Sequence, residues 1–358
     1  MIPYFIMVGT PAVIAILGKK LADRELRNRL IVGSFFLIWL TLLILRKETV
    51  GIDLVNYHSW FLSASRMSMG EIFSRAFQTN YELGYNLLSK FVSLFTHDFR
   101  VMIIITAILS LVPVWLLYRE NAEQNAYLSI VIFLGLGLFS IYFSAIRQVL
   151  AIAFVYPAYT FTKKRKLLLF LLTVFLTFFI HHSAIIMLLM YPVYHLRLRN
   201  YTSLLLIVPV IVLVYIFRVP VFRFLSRFIG EFYQGVIAET GAITVFLLLN
   251  IFLIYSFFLP NNTLLDEETI GLRNILFMAT VLQIFTGINL VAMRMNYYFL
   301  ILVPLLIPRI MNRPAEKNRK LAELSLLIMA VFFSAFYFYR AYTSADILQV
   351  YPYIPFWK

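Results

Sequence analysis

Apolar residues in this chain run in long continuous stretches separated by short polar segments. The stretches fall at 2–18, 30–45, 101–118, 126–143, 149–162, 167–180, 183–196, 201–217, 243–259, 275–292, 297–308 and 322–339. None alternates apolar with polar residues as a half-buried or barrel strand does, so each predicts a helix. A straight bilayer crossing takes ~20 residues. The short stretches 149–162 and 167–180 are therefore expected to draw on their flanks. Only His181 and His182 separate 167–180 from 183–196, which predicts a tight hairpin or one broken element. The expected fold is all-α: a polytopic membrane protein of about 12 transmembrane helices. It forms one transmembrane domain over 1–358, with insertions at about 46–100 and 218–241. No internal repeat is visible.

Cationic segments orient the helices. Lys163-Lys164-Arg165-Lys166 splits two apolar stretches and is cytoplasmic under the positive-inside rule. Counting outward makes 19–29, 119–125, 163–166, 197–200, 260–274 and 309–321 the cytoplasmic loops. They hold 18 of the 31 Lys and Arg residues. The segment 260–274 is the weakest of them, since Asp266, Glu267 and Glu268 outnumber Arg273. The opposite side then receives Asp53, Glu82, Arg147, His181, His182 and Arg294, which predicts a cleft on the external face. Ten of the 13 remaining cations are Arg, including Arg46, Arg223, Arg227 and Arg340. Arg holds phosphate in a two-pronged grip, so this excess suggests an anionic ligand there; snorkelling to lipid headgroups is the competing explanation.

Composition agrees with this class. The chain is 62% hydrophobic and 13% charged, where soluble domains carry about a quarter charged residues. A net charge of +14 would suggest nucleic acid in a soluble protein. Here it reads as loop charge, and no nucleic-acid partner is expected. Absence of Cys removes disulfides, thiol nucleophiles and thiolate metal sites. The five His show no zinc-helix spacing, so neither metal nor cofactor is expected. Met1 enters an apolar stretch with Lys19 and Lys20 after it, which predicts an uncleaved, external amino terminus.

Five polar clusters break the apolar pattern. In Gly51-Ile52-Asp53-Leu54-Val55-Asn56-Tyr57, Asp53 is a general base, a sugar-hydroxyl acceptor or a helix cap. In Tyr81-Glu82-Leu83-Gly84-Tyr85, the two Tyr lie one turn apart and could stack on sugar rings or form an interfacial belt. Ser144-Ala145-Ile146-Arg147-Gln148 offers a guanidinium and an amide to a diphosphate, unless Arg147 pairs with Asp53 or Glu82. His181-His182-Ser183-Ala184 offers a proton shuttle near neutral pH. Adjacent helical side chains diverge by about 100°, so the two imidazoles should not serve one atom. Arg294-Met295-Asn296-Tyr297-Tyr298 repeats the cation-amide-phenol chemistry. The tail, with Arg340, Asp346 and Tyr351-Pro352-Tyr353, is expected to cover the same cleft.

Taken in order, these residues resemble the EpsG-like family of Wzy-type polysaccharide polymerases. The matching positions are Gly51, Asp53 and Tyr57; Glu82, Gly84, Tyr85 and Leu88; Arg147, Gln148 and Ala151; His182, Ser183 and Ala184; and Arg294 and Tyr297. The resemblance implies a bacterial cytoplasmic-membrane glycosyltransferase. It would join oligosaccharide repeat units carried on undecaprenyl diphosphate, with flippase and chain-length regulator proteins as partners. Asp53, Glu82 and His182 are then the candidate catalytic groups. Arg147, Gln148, Arg294, Tyr57, Tyr81, Tyr85, His181, Ser183, Tyr297 and Arg340 are the candidate substrate-binding groups. A flippase for the same lipid would need charges at the midplane and on both faces, and the spans are nearly charge-free. A glycan ligase would use the same leaving group and differ only in its acceptor.

Overall fold

The computed structural model describes residues 2–18, 23–75, 82–122, 125–229, 243–289, 292–343 and 348–358. Among these residues the regular structure is helical, with two isolated bridges, Arg46 to Pro355 and Pro260 to Pro314. Arg24–Leu45, Phe99–Asn121, Glu267–Thr286 and Glu316–Thr343 are long and apolar enough to cross a membrane. Tyr201–Ile216 and Arg218–Phe224, bent by 76°, make a fifth if joined. Each of the twelve apolar stretches contains helix, but several are broken. After Ala126–Gly135 the chain turns at Gly137, with φ +77°, and resumes as the short 3-10 helix Ser140–Phe143. The stretch at 149–162 divides into Ile146–Ala153 and Val155–Lys163.

Contacts divide the chain into two compact units. The first comprises Met1–Pro157, Phe175–His182 and Met329–Lys358. In it, Arg24–Leu45 packs against Ile2–Leu17 and Phe99–Asn121, and the latter packs against Ile146–Ala153. Trp39 is fully buried at the centre, its ring 4.6 Å from Tyr142 and 5.2 Å from Phe133 in edge-on contacts. The insertion at 46–100 folds into Leu54–Arg66, Met69–Ser74 and Leu83–Ser93. Ser68 and Glu71 form a reciprocal capping box that starts the middle helix. Leu54, Tyr57, Phe61, Tyr85 and Val92 form one apolar cluster with Phe99, Met102, Ile103, Ile146 and Leu150. The insertion is thereby fixed to the end of a long apolar helix.

The tail runs beside residues 45–52. Lys47 N donates to Ile354 O at 2.9 Å, Gly51 N to Gln349 O at 3.2 Å and Phe356 N to Leu45 O at 2.9 Å. Gly51 has φ +112°, and a Cβ there would lie 1.8 Å from Phe143 O. Only glycine fits so strained and tight a position. The chain entering Asp53 is therefore held from two sides. Asp346 lies outside the described residues.

The second unit comprises Ala158–Val174 and Ser183–Ile328. Its axis is Glu267–Thr286, packed against Met190–Tyr194, Leu204–Ile216, Ile243–Phe258, Ala292–Leu300 and Val303–Met311. Asp266 caps this helix by accepting from Thr269 N at 2.7 Å. The helix thus begins inside the segment expected to be a loop up to 274. Arg273, counted as a loop charge, is instead fully buried. Its guanidinium donates to Arg199 O at 2.9 Å, to Asn262 Oδ1 at 2.8 Å and to Ser256 O, which together replace its water.

Candidate active site

Glu82 occupies the cap position of Leu83–Ser93 with extended backbone (φ −102°, ψ 101°), yet its carboxylate makes no capping bond. The side chain turns instead toward the end of Leu167–Ile180, whose last turns belong to the first unit. Gly84 permits the approach. A Cβ there would lie 2.9 Å from Ile180 Cγ1, 3.1 Å from its Cα and 3.2 Å from Phe179 O. Immediately beyond Ile180, His181 Nδ1 meets Glu82 Oε1 in a hydrogen-bond contact across 99 positions of sequence. Arg147 Nε lies 3.0 Å from the other oxygen, Oε2, off the axis a hydrogen bond needs, and so forms an ion pair. One buried carboxylate therefore serves a guanidinium and an imidazole.

The surroundings make this arrangement stable. Burial by itself would raise the Glu82 pKa, but His181, Arg147 and His182 outweigh it and hold the carboxyl below the usual range. Arg147 stacks over the Trp60 ring at 4.4 Å and lies 5.7 Å from the Tyr57 centroid. Its backbone N–H reaches Tyr57 Oη at 3.4 Å, and Tyr85 Oη donates to Tyr57 O at 3.3 Å. Tyr57 and Tyr85 are buried, so they support Arg147 from behind rather than presenting open faces to a sugar. Arg147 keeps 21% exposure, and its rim is reachable. His181 Nε2 is buried and lacks a hydrogen-bond partner among the described residues. His182 points elsewhere, its ring 4.8 Å from Phe178. Burial lowers the pKa of His182, with Glu82 opposing and His181 and Arg147 assisting, which favours the neutral imidazole.

Asp53 stands at the cap of Leu54–Arg66 without a side-chain capping bond. Its Oδ2 accepts from Ser144 Oγ at 2.9 Å instead. The bond ties Asp53 to the segment that carries Arg147, and Gln148 is buried beside it. Of the two carboxylates open to Arg147, Asp53 and Glu82, the structure pairs it with Glu82. Arg340 packs at the Gly137 turn, where a Cβ would meet its Nη1 at 2.8 Å, and lies 6.0 Å from the Phe336 ring. Tyr81 and the Arg227 side chain lie outside the described residues.

Ser183, Arg294 and Tyr297 belong to the second unit. Ser183 Oγ is 3.0 Å from Tyr298 Oη in a buried contact. Tyr297 is buried and Arg294 half-buried. The Asn296 amide donates to Ala279 O and Gln283 Oε1, both at 2.9 Å, and so knits two helices. Trp60 is the participant that sequence reasoning missed. It was legible as the residue three positions after Tyr57, on the same helical face.

Apolar helices enclosing a carboxylate-guanidinium-imidazole cluster define a helical membrane protein with a buried ionic site. More narrowly, the chain belongs to the EpsG family, whose model matches residues 29–354. No curated protein and no solved structure matches it.

Proposed function

We propose that this protein is a glycosyltransferase that polymerises oligosaccharide repeat units carried on undecaprenyl diphosphate. It would act at the external face of a bacterial cytoplasmic membrane, as a multi-pass protein. Family membership supports a polysaccharide polymerase-like activity. The observation that carries the reading is Arg147, held by Glu82 on one edge and by Trp60 on its face while its rim stays accessible.

In the proposed reaction a sugar hydroxyl of one lipid-linked unit attacks the anomeric carbon of another. A carbon–oxygen bond forms there, and the bond to the phosphate oxygen breaks. The electron pair leaves on undecaprenyl diphosphate, whose developing charge Arg147 stabilises. The hydroxyl proton goes to a base, and His182 suits that task because its lowered pKa favours the neutral form and it is half-exposed. Glu82 is a poorer base, since the Arg147 guanidinium and the hydrogen bond with His181 favour its charged form. We assign it to positioning Arg147 and His181. Asp53 is assigned to accepting a hydroxyl of the sugar. Arg294 is proposed as an anion-binding residue on its sequence setting alone.

The test uses purified protein and lipid-linked repeat units, with and without chelator, read as a ladder of products. Arg147→Ala should lower ladder formation by about 10²-fold or more, as losing one oxyanion donor does elsewhere. A normal ladder from Arg147→Ala would sink the diphosphate role. Substrate movement across the bilayer without bond formation would favour a flippase, and transfer to a non-carrier acceptor would favour a ligase.

A further inference from the structure

The second unit holds another constellation, which glycosyl transfer does not use. A cavity of about 690 Å³ is lined by residues from 163–165, 194–199 and 267–270. Its wall carries Lys163, Arg165, Arg197 and Arg199 against two carboxylates, Glu267 and Glu268. Both carboxylates are already engaged. Glu268 Oε1 receives Lys163 Nζ at 2.7 Å and Tyr159 Oη at 2.8 Å, with Arg309 at 3.1 Å. Glu267 pairs with Arg199 at 2.7 Å. Arg165 and Arg197 reach no carboxylate among the described residues. Among the described residues, the cavity therefore keeps positive charge that no carboxylate compensates.

Two further details bear on its use. Arg165 sits just past the end of Val155–Lys163 in the left-handed region, with φ +56°. Glycine is the usual residue at such a helix end because it has no Cβ to clash. An arginine held there at a conformational cost suits a role for its guanidinium. The Arg199–Glu267 pair is 48% and 80% exposed, so water screens it and an incoming anion can displace the carboxylate.

We propose that this cavity binds a phosphate-bearing ligand through Arg165 and Arg197, with Arg199 recruited from Glu267. Guanidinium groups grip phosphate oxygens in pairs, and the volume falls in the range of small-molecule sites. The chemistry is common to a free phosphoanhydride and to the headgroup of an anionic phospholipid. These loops were assigned to the cytoplasmic side, where both are available.

The experiment measures the thermal midpoint of the full chain in phosphatidylcholine nanodiscs. One arm titrates inorganic pyrophosphate, and the other replaces part of the lipid with phosphatidylglycerol. Both arms are repeated on Arg147→Ala protein, so that phosphate bound at the proposed active site is not counted. A rise with pyrophosphate supports a soluble ligand, and a rise with phosphatidylglycerol supports a lipid. In either case Arg165→Ala combined with Arg197→Ala should weaken the response about tenfold or more. Glu267→Gln, which frees Arg199, should strengthen it. No rise in either arm, or a full response from the double variant, overturns the proposal. If the double variant does not fold, an unchanged response from Glu267→Gln overturns it.

Discussion

At the scale of single residues, the first unit's polar chemistry turns on Glu82. Its side chain is 6% exposed and is shared by Arg147 and His181. Removing one partner of a buried ionic group leaves the others uncompensated, so Glu82→Ala should cost about 3 kcal/mol, read as a lower unfolding free energy in detergent. The pH dependence follows from the depressed carboxyl pKa. Folded Glu82 binds its proton less readily than unfolded Glu82. Its stabilisation is full above the ordinary glutamate range and vanishes as pH falls through the folded value. Parent and Glu82→Gln protein should therefore differ in thermal midpoint at neutral pH and converge in acid; parallel curves would contradict the assignment. Activity should likewise persist below the ordinary histidine pKa, because the lowered His182 pKa keeps the imidazole neutral there. The sequence made Glu82, Arg147 and His181 visible because each interrupts an apolar pattern. Their pairing was not visible, since it joins residues 99 positions apart. The burial of Tyr57 and Tyr85 also escaped, because ring packing leaves no periodic signal.

At the scale of elements, the site depends on how closely Leu83–Ser93 meets the end of Leu167–Ile180. Gly84 sets that distance, and two of its three nearest neighbours are backbone atoms that have little room to give. Gly84→Ala should separate the elements by a few tenths of an ångström and cost about 1–3 kcal/mol. Its distinguishing effect should be on turnover: a strong fall in ladder formation, with protein still present in the membrane. Normal turnover would show that this contact does not position Glu82. Helix content was legible throughout, because long apolar stretches without alternation admit few other structures in lipid. The interruptions were not. A Gly137 turn and a break near Phe154 keep the hydropathy that the intact helices would have. The polarity of 46–100 read as an external insertion, and two of its helices, Leu54–Arg66 and Leu83–Ser93, pack through apolar faces on Phe99, Met102 and Ile103.

At the scale of the whole molecule, the sidedness inferred from Lys and Arg is open to direct measurement. The chain has no Cys, so single cysteines can be introduced against a silent background. Lys164→Cys should react with an impermeant maleimide only after the membrane is opened. Ser59→Cys, on the exposed side of Leu54–Arg66, should react in intact cells. The reverse pattern would invert the orientation and remove the external site. Within the second unit, four segments assigned to the cytoplasmic side meet through Lys163 and Arg309 on Glu268 and Arg199 on Glu267, a convergence that loop charge alone did not disclose. The shared carboxylate has a last consequence. A diphosphate that draws on Arg147 competes with Glu82 for one guanidinium, and so raises the affinity of the Glu82 carboxylate for hydrogen ions. Donor loading should then be accompanied by proton uptake, and its calorimetric heat should vary with the ionisation enthalpy of the buffer.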